Sequence, residues 1–242
     1  MQTLAIIIPA YNEQDRLPKT LASIKTAWDS GAMSGLTLSQ VIVADDGSAD
    51  STVTIAESWK DTLPMEVVAS ARNAGKGAAV RGGMALVRSD LALMYDADGA
   101  APITEVVKLL KSLNDGADIA IGSRVMDGEK SLVTMRWHRR VIGRVYHFLC
   151  SALVPGIHDT ACGCKLFRTE VAKKLFSMQR INRFAFDVEV LALGLRHGYV
   201  IAEIPLEWTA VPESKVRLVR DGLEMLWCLI ILYTGSFRRQ RT

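Results

Sequence analysis

Five short, mostly apolar runs recur through the first half of the chain, at Leu4 to Ile8, Gln40 to Ala44, Met65 to Ala69, Leu91 to Tyr95 and Asp118 to Gly122. Between them lie helical patterns, at Leu17 to Trp28, Asp50 to Trp59, Lys76 to Arg88 and Pro102 to Leu113. A strand that is apolar at successive positions must be covered on both faces, and helices placed between strands supply that cover. The pattern predicts an α/β fold built on a mostly parallel sheet. In such sheets ligands bind beyond the carboxyl ends of the strands, so the residues after each run are site candidates.

The second half departs from this alternation. A basic, apolar-rich segment from Arg136 to Leu153 reads as a helix stopped by Pro155-Gly156. A short strand follows at Lys165 to Phe167, then helices at Thr169 to Phe176 and Phe186 to His197. A strand pair from Val200 to Val211 is interrupted by Pro205, and a last amphipathic helix begins near Asp221. There is no internal repeat and no low-complexity linker. At 242 residues, with 49% hydrophobic and 23% charged residues, one globular domain is expected over 1–242.

A net charge of +3 does not by itself imply a nucleic-acid partner, and none is expected. The basic residues are unevenly spread. No carboxylate occurs between Glu129 and Asp159, a stretch holding Lys130, Arg136, Arg139, Arg140 and Arg144; Arg238, Arg239 and Arg241 follow an acid-free stretch after Glu224. The arginines from 136 to 144 alternate with Trp137, Val141, Ile142, Val145 and Tyr146, the mixture of an in-plane helix on an anionic membrane surface, although a solvated face has similar composition. Met225 to Tyr233 would span roughly 14 Å as a helix, against about 30 Å of hydrocarbon, and so cannot cross a bilayer. Met1 leads into the first strand without a basic leader, and Cys150, Cys162, Cys164 and Cys228 lack zinc or redox spacing. Reduced thiols and a cytoplasmic location, peripheral to a membrane, are expected.

The loops after the strands restrict the chemistry. Pro9-Ala-Tyr-Asn-Glu13 lacks the glycines of a dinucleotide loop, and Gly75-Lys76-Gly77-Ala78 lacks the Ser or Thr and the glycine spacing of a P-loop. Carboxylates stand there instead, Asp45-Asp46-Gly47-Ser48 after the second run and Asp96-Ala97-Asp98-Gly99 after the fourth. Two aspartates one residue apart at a strand end can face one hard divalent ion bridging diphosphate oxygens. Either motif alone could equally be a solvated turn.

Together with Arg72-Asn-Ala-Gly-Lys-Gly77 and Ile121-Gly-Ser-Arg124, these runs resemble the family 2 glycosyltransferases, which have the GT-A fold. Asp159-Thr-Ala-Cys-Gly-Cys-Lys-Leu-Phe167, Phe184-Ala-Phe-Asp-Val-Glu189 and Ser214-Lys-Val216 are similar to segments of the dolichyl-phosphate β-glucosyltransferases and their prokaryotic polyprenyl-phosphate relatives. The resemblance implies a nucleotide-sugar-binding half over 1–124 and an acceptor-binding half over 125–242. It implies an inverting hexosyltransferase, with UDP-glucose the favoured donor and a polyprenyl or dolichyl phosphate the acceptor. Pro9, Tyr11, Glu13, Asp45 and Asp46 would hold the donor's base and ribose, with Lys76 also on the donor side. Asp96, Ala97 and Asp98 would form the D-x-D site for Mg2+ or Mn2+ on the diphosphate. Arg124, Arg136 and Lys215 would face donor or acceptor phosphate, and Asp98, Arg124 and Asp159 would serve catalysis. Ala100 stands where the mannosyltransferases carry a glutamine ligand, which disfavours mannose. Transfer to a soluble or glycolipid hydroxyl, with Asp159 as base, and non-catalytic sugar-nucleotide binding stay open as alternatives.

Overall fold

A computed structural model of the chain describes residues 1–124, 150–209 and 218–236. Its centre is one seven-stranded sheet, built from β1 (Gln2–Ala10), β2 (Leu36–Asp45), β3 (Met65–Ala69), β4 (Leu91–Tyr95), β5 (Ile119–Ser123), β6 (Cys164–Arg168) and β7 (Ile201–Pro205). The strand order is β3-β2-β1-β4-β6-β5-β7. β6 runs antiparallel to both β4 and β5, while every other pairing is parallel. One edge of the sheet therefore gathers the carboxyl ends of six strands and the amino end of β6. The strand order reverses direction beside β1, the place where such sheets open a crevice.

The helices are α1 (Leu17–Asp29), α2 (Thr52–Glu57), α3 (Lys76–Ala85), α4 (Val106–Asn114), α5 (Thr169–Met178), α6 (Phe186–Arg196) and α7 (Leu218–Ser236). β1 shows why a wholly apolar strand needs cover on both sides. Leu4, Ile6 and Ile8 join a core layer containing Leu17, Leu21 and Ile24 of α1, while Ala5 and Ile7 join a second layer with Val80 and Met84 of α3 and Phe186 of α6. Gly83 lets α3 approach closely, because a Cβ there would stand 2.6 Å from the Ile7 side chain. Pro18 lies in the first turn of α1, where a missing N–H leaves no helical bond unmade.

The expected strands at 65–69 and 91–95 and the helix starts at Leu17, Lys76, Thr169 and Phe186 coincide with the observed ones. One expectation changes. Of the strand pair expected from Val200 to Val211, the described residues up to 209 contain a single strand, β7, which ends at Pro205 opposite Ser123, and 210 and 211 lie outside the described residues. The Leu206 amide makes a last bond to Ser123 O, after which the chain leaves the sheet and the amides of Glu207 and Thr209 bind a Glu105 carboxylate oxygen and Ala100 O. The last helix is described from Leu218, the first residue described after 209, and so already includes the expected start near Asp221. The segment from Arg136 is outside the described residues up to 149, and 150–153 are helical. No helix among the described residues is long and apolar enough to cross a membrane, and all four cysteines are free thiols.

Among the described residues the core contains one fully buried ion pair. Lys165 of β6 is 1% exposed, and its ammonium donates to Asp187 Oδ1 of α6 and to Cys162 O, each at 2.6 Å. Removing one partner leaves an uncompensated charge, whereas replacing both by apolar groups removes the desolvation cost as well. Lys165→Met is expected to destabilise the fold by about 3–5 kcal/mol, and Lys165→Met/Asp187→Leu to recover much of that loss. Urea denaturation of the three proteins measures both quantities.

Candidate active site

The loops at the gathered strand ends are shaped by carboxylates that bind backbone amides. Asp45 is 2% exposed and accepts hydrogen bonds from Gly47 N at 3.1 Å, Ser48 N at 3.0 Å and the Ser48 hydroxyl. Asp46 is 3% exposed and accepts from Ala74 N at 2.7 Å and Gly75 N at 2.8 Å. Asp46 thus holds the loop that launches α3. Gly75, at φ +112°, permits that turn, and a Cβ there would meet Asn182 O at 2.4 Å. Pro9 sits in β1 opposite Ala44, the half-exposed Tyr11 follows the strand, and the Glu13 carboxylate is paired with Arg16.

The first residue of α3 is Lys76, whose ammonium reaches Asp96 Oδ1 at 2.7 Å. Burial alone would lower the Lys76 pKa, but the charges of Asp96 and Asp187 outweigh it and hold the amine above its ordinary value. Asp96 leaves β4 with its amide bound to Gly163 O at 3.0 Å. Ala97 is buried, and its carbonyl accepts the Thr20 hydroxyl at 2.7 Å; Asp98 Oδ1 accepts from Ala100 N at 3.1 Å. The buried Tyr95 hydroxyl donates to Ala101 O and closes the loop. Burial, and then the neighbouring Asp96 charge, push the Asp98 carboxyl above the ordinary carboxylate range.

A divalent cation fits this donor set. Asp96 and Asp98 are hard oxygen donors, and a cation between them offsets both causes that raise Asp98, its burial and then the charge of Asp96. Among the described residues no third His, Cys, Asp or Glu joins them, so diphosphate oxygens or water would complete the shell. Ala100 offers no ligating side chain and is buried.

On the other side of the edge, Arg124 follows β5 and its guanidinium binds Asp159 with two bonds, Nε to Oδ2 at 2.6 Å and Nη2 to Oδ1 at 2.7 Å. The Arg124 amide adds a third bond to Asp159 Oδ2 at 3.1 Å. Burial would raise the Asp159 pKa, but the hydrogen bonds and charge of Arg124 prevail and hold it below the ordinary value. Both oxygens of this 5% exposed carboxylate are therefore occupied and ionised. The structure brings Pro9, Tyr11, Glu13, Asp45, Asp46, Lys76, Asp96, Ala97, Asp98, Arg124 and Asp159 to one edge of the sheet, while Arg136 and Lys215 lie outside the described residues.

Four supporting groups were not legible as site residues. Lys165 and Asp187 hold the Cys162 carbonyl beside Gly163, and their signal was a lone charge inside an apolar run. Glu203 of β7 accepts from Asp159 N at 2.8 Å and His158 N at 2.9 Å, and the Trp208 ring lies beside Arg124. Nothing in sequence spacing marks the last two.

A Cβ on Gly163 would fall 2.1 Å from Asp96 Oδ2, so the absent side chain is what lets Asp96 point as it does. Gly163→Ala is expected to weaken Mn2+ binding by about 10–100-fold with the circular dichroism spectrum retained, as titration calorimetry would measure. The Asp159 clamp carries its own pH signature. A depressed native pKa contributes stability above the unfolded value near 3.8 that is lost as pH falls through the native value. The stability difference between wild type and Asp159→Asn should therefore be constant above about pH 5 and shrink below about pH 4, as denaturation across pH would measure.

Comparison with known proteins agrees with this geometry. The family model described as "Glycosyl transferase family 2" matches residues 5–176. The chain is 34% identical to the dolichyl-phosphate beta-glucosyltransferase of Homo sapiens, over 99% of this chain and 78% of that protein. It is 37% identical to that of Drosophila melanogaster, over 92% and 72%, and 30% identical to that of Saccharomyces cerevisiae, over 95% and 73%. Among solved structures it resembles the glucosyl-3-phosphoglycerate synthase of Mycobacterium tuberculosis in complex with Mn2+ and UDP-glucose, with a TM-score of 0.70 at 19% identity, covering 97% of this chain and 79% of that one. That likeness shows the fold, which is GT-A. With a family model matched across most of its length and relatives above 30% identity over nearly all of it, the chain belongs to glycosyl transferase family 2.

Proposed function

We propose that this chain transfers glucose, with inversion, from UDP-glucose to a polyprenyl or dolichyl phosphate at the cytoplasmic face of a membrane, using Mg2+ or Mn2+. The names of the curated relatives support the glucose and the lipid phosphate, and a fold neighbour solved with UDP-glucose supports the donor. The observation that carries the acceptor class is the state of Asp159. A hydroxyl nucleophile needs a carboxylate able to take its proton, and both Asp159 oxygens are held by a guanidinium that keeps the group ionised and weakly basic. A phosphate monoester needs no such base. Its second pKa is near 6, so about nine-tenths is dianionic at pH 7.

In this reading Pro9, Tyr11, Glu13, Asp45 and Asp46 frame the nucleoside, with Asp45 and Asp46 acting through the loops they hold. Asp96 and Asp98 would bind the metal, which supplies Lewis acidity toward the diphosphate oxygens. Lys76 adds a cation at the same place and stays protonated there. Arg124, with Arg136 and Lys215, binds the acceptor phosphate, whose oxygen attacks the anomeric carbon as the bond to the diphosphate breaks. Asp159 orients Arg124 and takes no proton.

The membrane part of the proposal rests on α7. Leu229 and Leu232 face the core, while Trp227, Ile230, Ile231 and Tyr233 are between 42% and 63% exposed. An apolar helix face beside basic sequence suits the headgroup boundary of an anionic bilayer.

Three measurements test these statements. With short polyprenyl phosphate as acceptor the rate should fall below about pH 6 and stay level above it; transfer to the matching polyprenol but not the phosphate would refute the acceptor. Asp98→Asn should abolish transfer at saturating Mn2+ without unfolding the protein, and an unimpaired rate would remove Asp98 from the site. In sedimentation with anionic liposomes, Trp227→Ser/Ile231→Ser should reduce the bound fraction. Added salt should reduce it further, since each Lys or Arg near the surface contributes about 1 kcal/mol that ions screen. Binding unchanged by both treatments would exclude α7 and the basic segments from the contact.

A further inference from the structure

Trp208 belongs to none of the motifs that point to sugar transfer, yet its ring lies against the guanidinium of Arg124, with Cζ 5.1 Å from the ring centroid. Asp159 occupies the Nε–Nη2 edge of the same group. A guanidinium is a planar fork of five N–H donors. With one edge bound and the indole ring beside it, its Nη1–Nη2 end is left as a second fork with the spacing of two phosphate oxygens. The Arg124 side chain is 38% exposed, so an anion can reach it.

The backbone around Trp208 is fixed by three bonds. Leu206 N donates to Ser123 O at 3.1 Å, Glu207 N to Glu105 Oε2 at 3.0 Å and Thr209 N to Ala100 O at 2.9 Å. The first anchors Trp208 to the strand end that carries Arg124, and the last anchors it to the loop of Asp96 and Asp98. Glu203 holds the other half, since its carboxylate binds the amides of His158 and Asp159.

We propose that Trp208 is a positioning residue, and that its ring and the Asp159 carboxylate together clamp Arg124 so that the Nη1–Nη2 end meets the phosphate monoester of the acceptor. This rests on the acceptor reading given above. A free arginine side chain populates many rotamers, and holding it ahead of binding removes that ordering cost from the association. A cation over an indole gains most when partly desolvated, and Phe retains part of that attraction whereas Leu retains none.

The test uses farnesyl phosphate as the probe and the full chain as the protein. The Arg124 Nε–Hε resonance, identified by its loss in Arg124→Lys, should be displaced by the indole ring current in wild type and should titrate with farnesyl phosphate. Trp208→Leu should abolish the ring-current displacement and raise the half-saturating concentration by about 3- to 30-fold, and Trp208→Phe should recover most of the affinity. In transfer assays Trp208→Leu should raise the acceptor KM by a similar factor with the donor KM unchanged. Added to Arg124→Ala it should cost little more. An undisplaced Hε signal in wild type overturns the clamp, as does a loss in Trp208→Leu that is equal for donor and acceptor or fully additive with Arg124→Ala. A displaced signal that titrates with farnesyl phosphate, in a protein that transfers no sugar to it, refutes the transfer reading and leaves the clamp standing.

Discussion

Carboxylates crowded at one edge of a buried sheet repel each other, and the site depends on giving each its own donor. Asp45 and Asp46 are held by backbone amides, Asp96 by Lys76, Asp159 by Arg124 and Asp187 by Lys165. Burial costs each ion several kcal/mol unless such a partner offsets it. The loops at this edge can therefore take few other shapes without stranding a charge. Asp98 is the exception: it accepts a hydrogen bond from Ala100 N, while burial and the neighbouring Asp96 charge raise its pKa. This carboxylate stands where the proposed metal would bind.

These pairs also connect distant parts of the chain. Asp46 fixes the 74–75 loop, that loop starts α3, and the first residue of α3 reaches Asp96. From the other direction, Asp187 on α6 anchors Lys165, whose second bond holds the Cys162 carbonyl beside Gly163, the residue that leaves room for Asp96. β6 makes this convergence possible. By running antiparallel between β4 and β5 it brings its amino end, rather than its carboxyl end, to the functional edge.

Arg124 and Asp159 illustrate how a pairing changes the chemistry available to a carboxylate. An isolated aspartate beside an acceptor site would be a candidate base. One whose two oxygens bind a guanidinium is a weaker base and a better orienting group. The same contact turns a flexible cation into a fixed one, which favours recognition of an anion over activation of an alcohol.

The sequence by itself determined the α/β class, the order and approximate limits of the strands from 2 to 123, and the nature of the donor-side loops. Those features are local: apolar runs, helix patterns and short motifs carry them within ten or so neighbouring residues. It also marked Asp96, Asp98, Arg124 and Asp159 as site candidates through family motifs. Only the tertiary structure decided that Asp45 and Asp46 are spent on backbone amides, that β7 stops at Pro205, and that Glu203 and Trp208 stand behind Asp159 and Arg124. Arg124 and Asp159 are 35 residues apart, and Trp208 lies farther still along the chain. Their meeting depends on strand order and register, which no local pattern encodes, so the charges were legible in the sequence while their partners were not.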